Sequence, residues 1–244
     1  MRFSRFILVV FVITLGIGKA SVAQAQFGGI LDSIKKVLGL KEELSAQKVS
    51  EGLKEALRVS TSNAIKAVSE TGGYYQNPAI KIPLPDEIKK IENILRTAGL
   101  GQYMDTFDKV MNRAAEKAAP QAQDIFLDSI TQMSFTDARK ILEGRDNEAT
   151  IYFRENTYNR LYDVFKPIVH STMSQVGVIR EYQELNSRLR DIPFVEELKF
   201  DLDDYVTRGS LEGLFYMVAS EEKKIRQDPA ARVSDLLKEV FDKK

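Results

Sequence analysis

Apolar residues recur at every third or fourth position through most of this chain, the spacing that gathers them on one face of an α-helix. Leu53, Leu57, Ala64, Ile65 and Val68 line a helix from about Glu43 to Ser69, which Thr71-Gly72-Gly73 ends. Ile88, Ile91 and Leu95 form a second stripe, closed by Gly99 and Gly101. Tyr103, Phe107, Val110, Met111, Ala114 and Ala118 form a third, and Ile125, Phe126, Ile130 and Met133 follow Pro120. Ser134-Phe135-Thr136-Asp137 resembles a capping box and opens a short helix ending at Gly144. Its successor, capped by Asp146 or Asn147, carries Tyr152-Phe153-Arg154 and then Leu161, Phe165, Ile168, Val169 and Met173, with a bend near Thr157 and a kink or break at Pro167. Ile179, Tyr182, Leu185, Leu189 and Ile192 make another stripe, and Leu211, Leu214, Phe215, Val218 and Ile225 the strongest one. Asp228-Pro229 reads as the N-cap and first residue of a terminal helix bearing Val233, Leu236, Leu237, Val240 and Phe241.

These stripes predict an all-α class: about nine helices in a single compact domain over residues 43–244, with no alternating strand beyond a short extended piece at Leu198-Lys199-Phe200. No internal repeat and no Ser/Gly-rich linker divides the domain. Between Tyr74 and Pro85 lie Pro78, Pro83 and Pro85, which lack an N–H and push their predecessors out of the helical region, so an extended arm is expected there.

Residues 1–25 have the layout of a secretory signal peptide: Arg2 and Arg5, an apolar run from Phe6 to Ile17, then Ala23-Gln24-Ala25, after which cleavage is expected. As a helix that run would cover roughly 18 Å of a hydrocarbon core about 30 Å thick, too little to span it comfortably. Cleavage removes Arg2, Arg5 and Lys19 and no acid, leaving 32 basic against 35 acidic residues. A mildly acidic chain with no further membrane-spanning stretch is expected in the periplasm, with no field to attract nucleic acid. Residues 26–42 form an N-terminal appendage in which Phe27, Ile30, Leu31, Ile34, Val37 and Leu38 recur at helical spacing beside Lys35, Lys36 and Lys41. Phe27, Ile30, Leu31, Ile34, Lys35 and Lys36 are the candidates for contact with a membrane surface.

Composition removes much chemistry. With no Cys there is no disulfide, thiolate ligand, cysteine nucleophile or lipid-modified cysteine, and with one His, His170, no multi-histidine metal cage. His170 and Ser171 are neighbours about 100° apart on a helix and cannot pair as base and nucleophile, so a structural histidine is expected. Asp201 to Glu212 puts acids at positions 1, 3 and 12 of a calcium-type loop, but Val206 stands where the sharp turn needs Gly, and Asp201 with Asp204 fits a helix start as well. Tyr158 and Tyr162 have ordinary helical spacing, and Gly28-Gly29 and Gly72-Gly73 lack the context of a phosphate loop. No metal and no cofactor is expected. The candidate polar site is Arg113, Asp137, Arg139, Asp146 and Arg154, charges set beside apolar stripes at helix ends. The arginines could fork onto a carboxylate or phosphate ligand, or Asp137 and Asp146 could cap helices while the arginines brace them.

Several stretches carry a family resemblance: Asn112-Arg113-Ala114-Ala115-Glu116, Met133-Ser134-Phe135-Thr136-Asp137-Ala138-Arg139, Ala149-Thr150 with Tyr152-Phe153-Arg154, Asn77-Pro78-Ala79-Ile80 with Ile82-Pro83-Leu84-Pro85, Gly213-Leu214-Phe215 and Asp228-Pro229-Ala230-Ala231-Arg232. With these the chain resembles the bacterial domain-of-unknown-function 4197 family from about Gly52 to Phe241. The resemblance implies an exported helical domain and brings no reaction, ligand or catalytic residue. Together the sequence favours an exported binding or structural module of the cell envelope, with the arm at Pro78–Pro85 as its first candidate surface and an envelope protein or lipid as partner. The alternatives are a membrane-surface or lipid-associated protein and, behind it, an enzyme using the Asp/Arg cluster, for which no catalytic constellation is recognisable.

Overall fold

The apolar stripes that fall within the residues described by this computed structural model form helices, and most of their described side chains are buried. The described residues are 47–97, 99, 101–175 and 201–228, without the side chains of Ile91, Leu95 and Tyr103. They form seven α-helices and no strand: α1 over 47–69, α2 Asp86–Thr97, α3 Gly101–Ala118, α4 Ala122–Gln132, α5 Phe135–Glu143, α6 Glu148–Gln175 and α7 Leu202–Gln227. A 3₁₀ turn at Ala119–Gln121, containing Pro120, joins α3 to α4. The expected helices over 27–40, 179–192 and 229–241, and the extended piece at Leu198–Phe200, lie outside the described residues.

Local chemistry sets the helix ends. After α1 the chain turns at Gly72, whose φ of +90° suits glycine, and at Gly73, where a Cβ would stand 2.5 Å from the Ala67 carbonyl oxygen. Ser134 and Asp137 form the expected capping box at the start of α5, each side chain accepting from the other's backbone N–H. Asp201 caps α7, its carboxylate accepting from the Asp204 N–H at 2.9 Å.

The core is organised around α6, which packs against α3, α4, α5 and α7. Its buried residues Phe153, Thr157, Leu161, Phe165, Val169 and Met173 recur every four positions rather than every 3.6. Each step therefore advances about 40° around the axis, roughly 200° in all, which presents the stripe to several neighbours in turn. Phe126 of α4 and Phe215 of α7 meet in this centre, their ring centroids 6.0 Å apart, and Phe153 lies 5.1 Å from Phe126.

Two expectations are corrected. Of the kink or break expected at Pro167, the break does not occur, since α6 runs on through it. Pro167 is exposed, as is Asp163 one turn earlier, so the carbonyl that Pro167 leaves without its N–H faces solvent. The stretch from Tyr74 to Pro85 is not extended throughout: residues 71–76 and 78–80 form turns, and only 81–85 have neither helix, strand nor turn.

Candidate functional site

The arm at residues 71–85 is fastened by buried polar side chains of α3 and by the surface of α7. Asn112, fully buried, meets both backbone groups of Ile82: its Oδ1 accepts from the Ile82 N–H at 2.8 Å and its Nδ2 donates to the Ile82 carbonyl at 3.0 Å. One turn further along α3, Glu116 is 2% exposed, and its carboxylate accepts from the N–H groups of Gly72 and Tyr74 at 3.0 and 3.3 Å and from Arg113 at 2.8 Å. Tyr74 is buried completely and donates its hydroxyl to the Ser210 carbonyl at 2.6 Å; burial, with Glu116 nearby, pushes the phenol far above its ordinary range. α7 admits the arm because it is glycine where the two cross. A Cβ on Gly213 would stand 2.5 Å from the Tyr74 ring, and one on Gly209 would stand 3.0 Å from Ile82.

Held this way, the arm forms one wall of a cleft of about 470 Å³. Ala79 to Pro83 make that wall, and the rest of the lining comes from Asn147 in the turn before α6, from Thr150, Ile151 and Arg154 of α6, and from Gly209, Glu212, Gly213, Phe215, Tyr216 and Ala219 of α7. Arg154 and Glu212 join across it in a two-pronged pair, both N···O distances 2.7 Å. The pairing raises the arginine above its usual value and holds the Glu212 carboxyl below the usual carboxylate range. Phe215 lies beneath the guanidinium, 4.9 Å from ring centroid to Cζ. Tyr216 is 55% exposed, the most exposed large hydrophobic side chain described. The cleft thus combines an apolar wall, an exposed phenol and an ion pair that an incoming charge can open.

The five residues of the expected polar site are not gathered into one place. Arg113 serves Glu116 and Thr71, Asp137 caps α5, Arg139 pairs with Glu143 on an open surface, and Asp146 accepts from Gln227 at 2.7 Å. Arg154 alone lines the cleft. Among the described residues no hydrogen bond or ion pair links any two of the five. The membrane-surface candidates Phe27, Ile30, Leu31, Ile34, Lys35 and Lys36 lie outside the described residues. No helix among the described residues is long and apolar enough to cross a membrane.

The calcium-type loop does not form, because the chain is helical from Leu202 onward and Asp201 is spent on its cap. No three acidic or histidine side chains among the described residues are placed to hold a metal ion. His170 is exposed and meets Asp203 through Nδ1 at 2.6 Å. Tyr158 stacks on Phe215 with centroids 6.3 Å apart, and Tyr162 donates its hydroxyl to Asp204 at 2.6 Å.

Sequence reasoning missed Glu212 and Tyr216 in the cleft, and a buried pair behind it. Glu222, 4% exposed, accepts from the N–H groups of Ala149 and Thr150 at 3.0 and 2.9 Å, so α7 caps the N-terminus of α6. Arg226 binds Glu222 and donates to the Ile141 carbonyl at 2.8 Å, closing the end of α5. The backbone groups they meet are 72 to 85 positions away, and no local spacing announces those contacts.

Residues 43–242 match the model of a family described as a protein of unknown function, DUF4197. No curated protein and no solved structure matches. That match takes in every described helix and the residues lining the cleft, and the chain belongs to this family.

Proposed function

We propose that this protein is a binding module of the cell envelope, exported through residues 1–25, which uses the cleft between the arm and α6–α7 to hold another envelope component. The supporting observation is the cleft itself: its arm is fixed by Asn112, Glu116 and Tyr74, while its rim leaves Tyr216 more than half exposed. Rigid walls around an exposed aromatic side chain keep the ordering cost of binding low. Arg154 is the member of the sequence-derived polar set that this reading retains as a ligand contact.

Photo-crosslinking in intact cells tests it. A crosslinking residue at position 216 is expected to give a discrete adduct, and one at position 139, on the open surface of α5, is not. No adduct at 216, or the same adducts from both sites, would refute the reading. Mass spectrometry of the exported protein should find its N-terminus at Gln26.

Association with a membrane surface is the second reading, supported by the basic amphipathic stretch at 27–40. Flotation with anionic liposomes that disappears on deleting residues 26–42 would favour it; no flotation of the undeleted protein would dismiss it.

A further inference from the structure

The turn at residues 77–81 is built around Asn77. Its Oδ1 accepts from the Ala79 N–H at 3.1 Å, its carbonyl accepts from the N–H groups of Ile80 and Lys81 at 3.1 and 2.8 Å, and its own N–H donates to the Tyr74 carbonyl at 3.1 Å. The side-chain NH₂ has a poorer partner. Nδ2 donates to the sulfur of Met217 on α7, 3.8 Å away, and a thioether is a weak acceptor. Because Oδ1 is committed to a backbone N–H, the amide presents its donor end to that sulfur.

Access also sets Met217 apart. The chain has no Cys and no Trp, so its readily oxidised side chains are its six methionines. Met1 falls in the expected signal peptide. Met104, Met111, Met133 and Met173 are buried, with exposures of 3, 0, 3 and 0%, whereas Met217 is half-buried at the edge of the core. Among the described methionines it is the one that an oxidant in solution meets first.

We propose that Met217 is a reversible oxidation site whose sulfoxide fastens the arm through Asn77. The reaction is a two-electron oxygen transfer from hydrogen peroxide. A sulfur lone pair forms the S–O bond as the O–O bond breaks, and the proton on the transferred oxygen goes to the departing hydroxide. The thioether is oxidised to the sulfoxide and the peroxide is reduced to water. In a sealed core the new polar group disrupts packing, but at Met217 its oxygen meets an amide donor already turned toward the sulfur. A sulfoxide reductase restores the thioether. The inference rests on the contact between Asn77 and Met217 and not on what the cleft holds, so it stands or falls apart from the binding reading.

The test is brief treatment of the purified full-length protein with hydrogen peroxide, followed by peptide mapping and amide hydrogen exchange. Met217 is expected to form its sulfoxide about tenfold or more faster than Met104, Met111, Met133 and Met173. Exchange at the amides of Ala79, Ile80 and Lys81, all held by Asn77, should then slow by about threefold or more and recover after reductase treatment. Asn77→Asp keeps an acceptor for Ala79 without the donor, and Met217→Leu keeps the volume without the sulfur. In both variants peroxide should leave those amides unchanged. Neither position is fully buried, and circular dichroism should show both variants folded; if Asn77→Asp is not, Met217→Leu serves as the control. Oxidation of Met217 no faster than that of the buried methionines would overturn the proposal. So would unchanged or faster exchange at residues 79–81 in the oxidised protein, or the same slowing in a folded variant.

Discussion

Glu222 sits where two helix ends meet: its carboxylate caps α6, and its partner Arg226 closes α5, so one pair on α7 fixes the turn at residues 144–147 that leads into the cleft wall. The signs suit the helix dipoles, negative at an N-terminus and positive at a C-terminus. With side-chain exposures of 8% and 4%, neither charge has solvent to fall back on. Removing one partner strands the other, at a typical cost of about 3–5 kcal/mol. Glu222→Ala is accordingly expected to lower the unfolding free energy by about that amount in denaturant titration, and Glu222→Gln, which keeps an acceptor for the backbone, by less. A loss under about 1 kcal/mol for the alanine variant would show that the pair does not clamp the turn.

Among the elements, α7 shows most clearly what was legible in advance. Its apolar stripe and the Asp201–Asp204 start were readable because both rest on local spacing, and for the same reason the capping box at Ser134 was. The rival calcium-loop pattern used the same acids and failed once Asp201 closed the cap. Tyr162, Lys166 and His170, four residues apart on α6, then meet Asp204, Asp201 and Asp203 of the first turn of α7. Arg208 first, then Tyr162, holds the Asp204 carboxyl below its usual range, and the Asp204 N–H, with help from Lys166, does the same for Asp201. Both groups resist protonation when folded, so their contribution is whole above the usual carboxylate pKa near 4 and is lost as pH falls through their lowered folded values. The melting temperature is expected to drop between about pH 5 and pH 2, and Asp204→Asn to lower it at neutral pH while flattening that acid slope. An identical slope in the variant would count against this origin.

For the molecule as a whole, the family motifs read from the sequence prove to be largely fastenings: Asn112 and Glu116 hold the arm, Asp137 caps α5, and Gly213 makes room for Tyr74. They identify the fold well and the cleft only indirectly. Arg154 was visible, but its partner Glu212 lies 58 positions on, and a lone exposed Tyr216 carries no periodic signal. Buried Glu116 and Glu222 look, in sequence, like any solvated glutamates. What sets them apart is contact with backbone from distant segments, which spacing along one helix cannot show. The groove beside the fixed arm is the proposed seat of a partner. Amide hydrogen exchange on the free protein and on the crosslink-validated complex measures this most directly. New protection should fall on residues 79–83, 147–154 and 209–219, with α4 and α5 unchanged; protection on α4 and α5 with those segments unaltered would contradict the account.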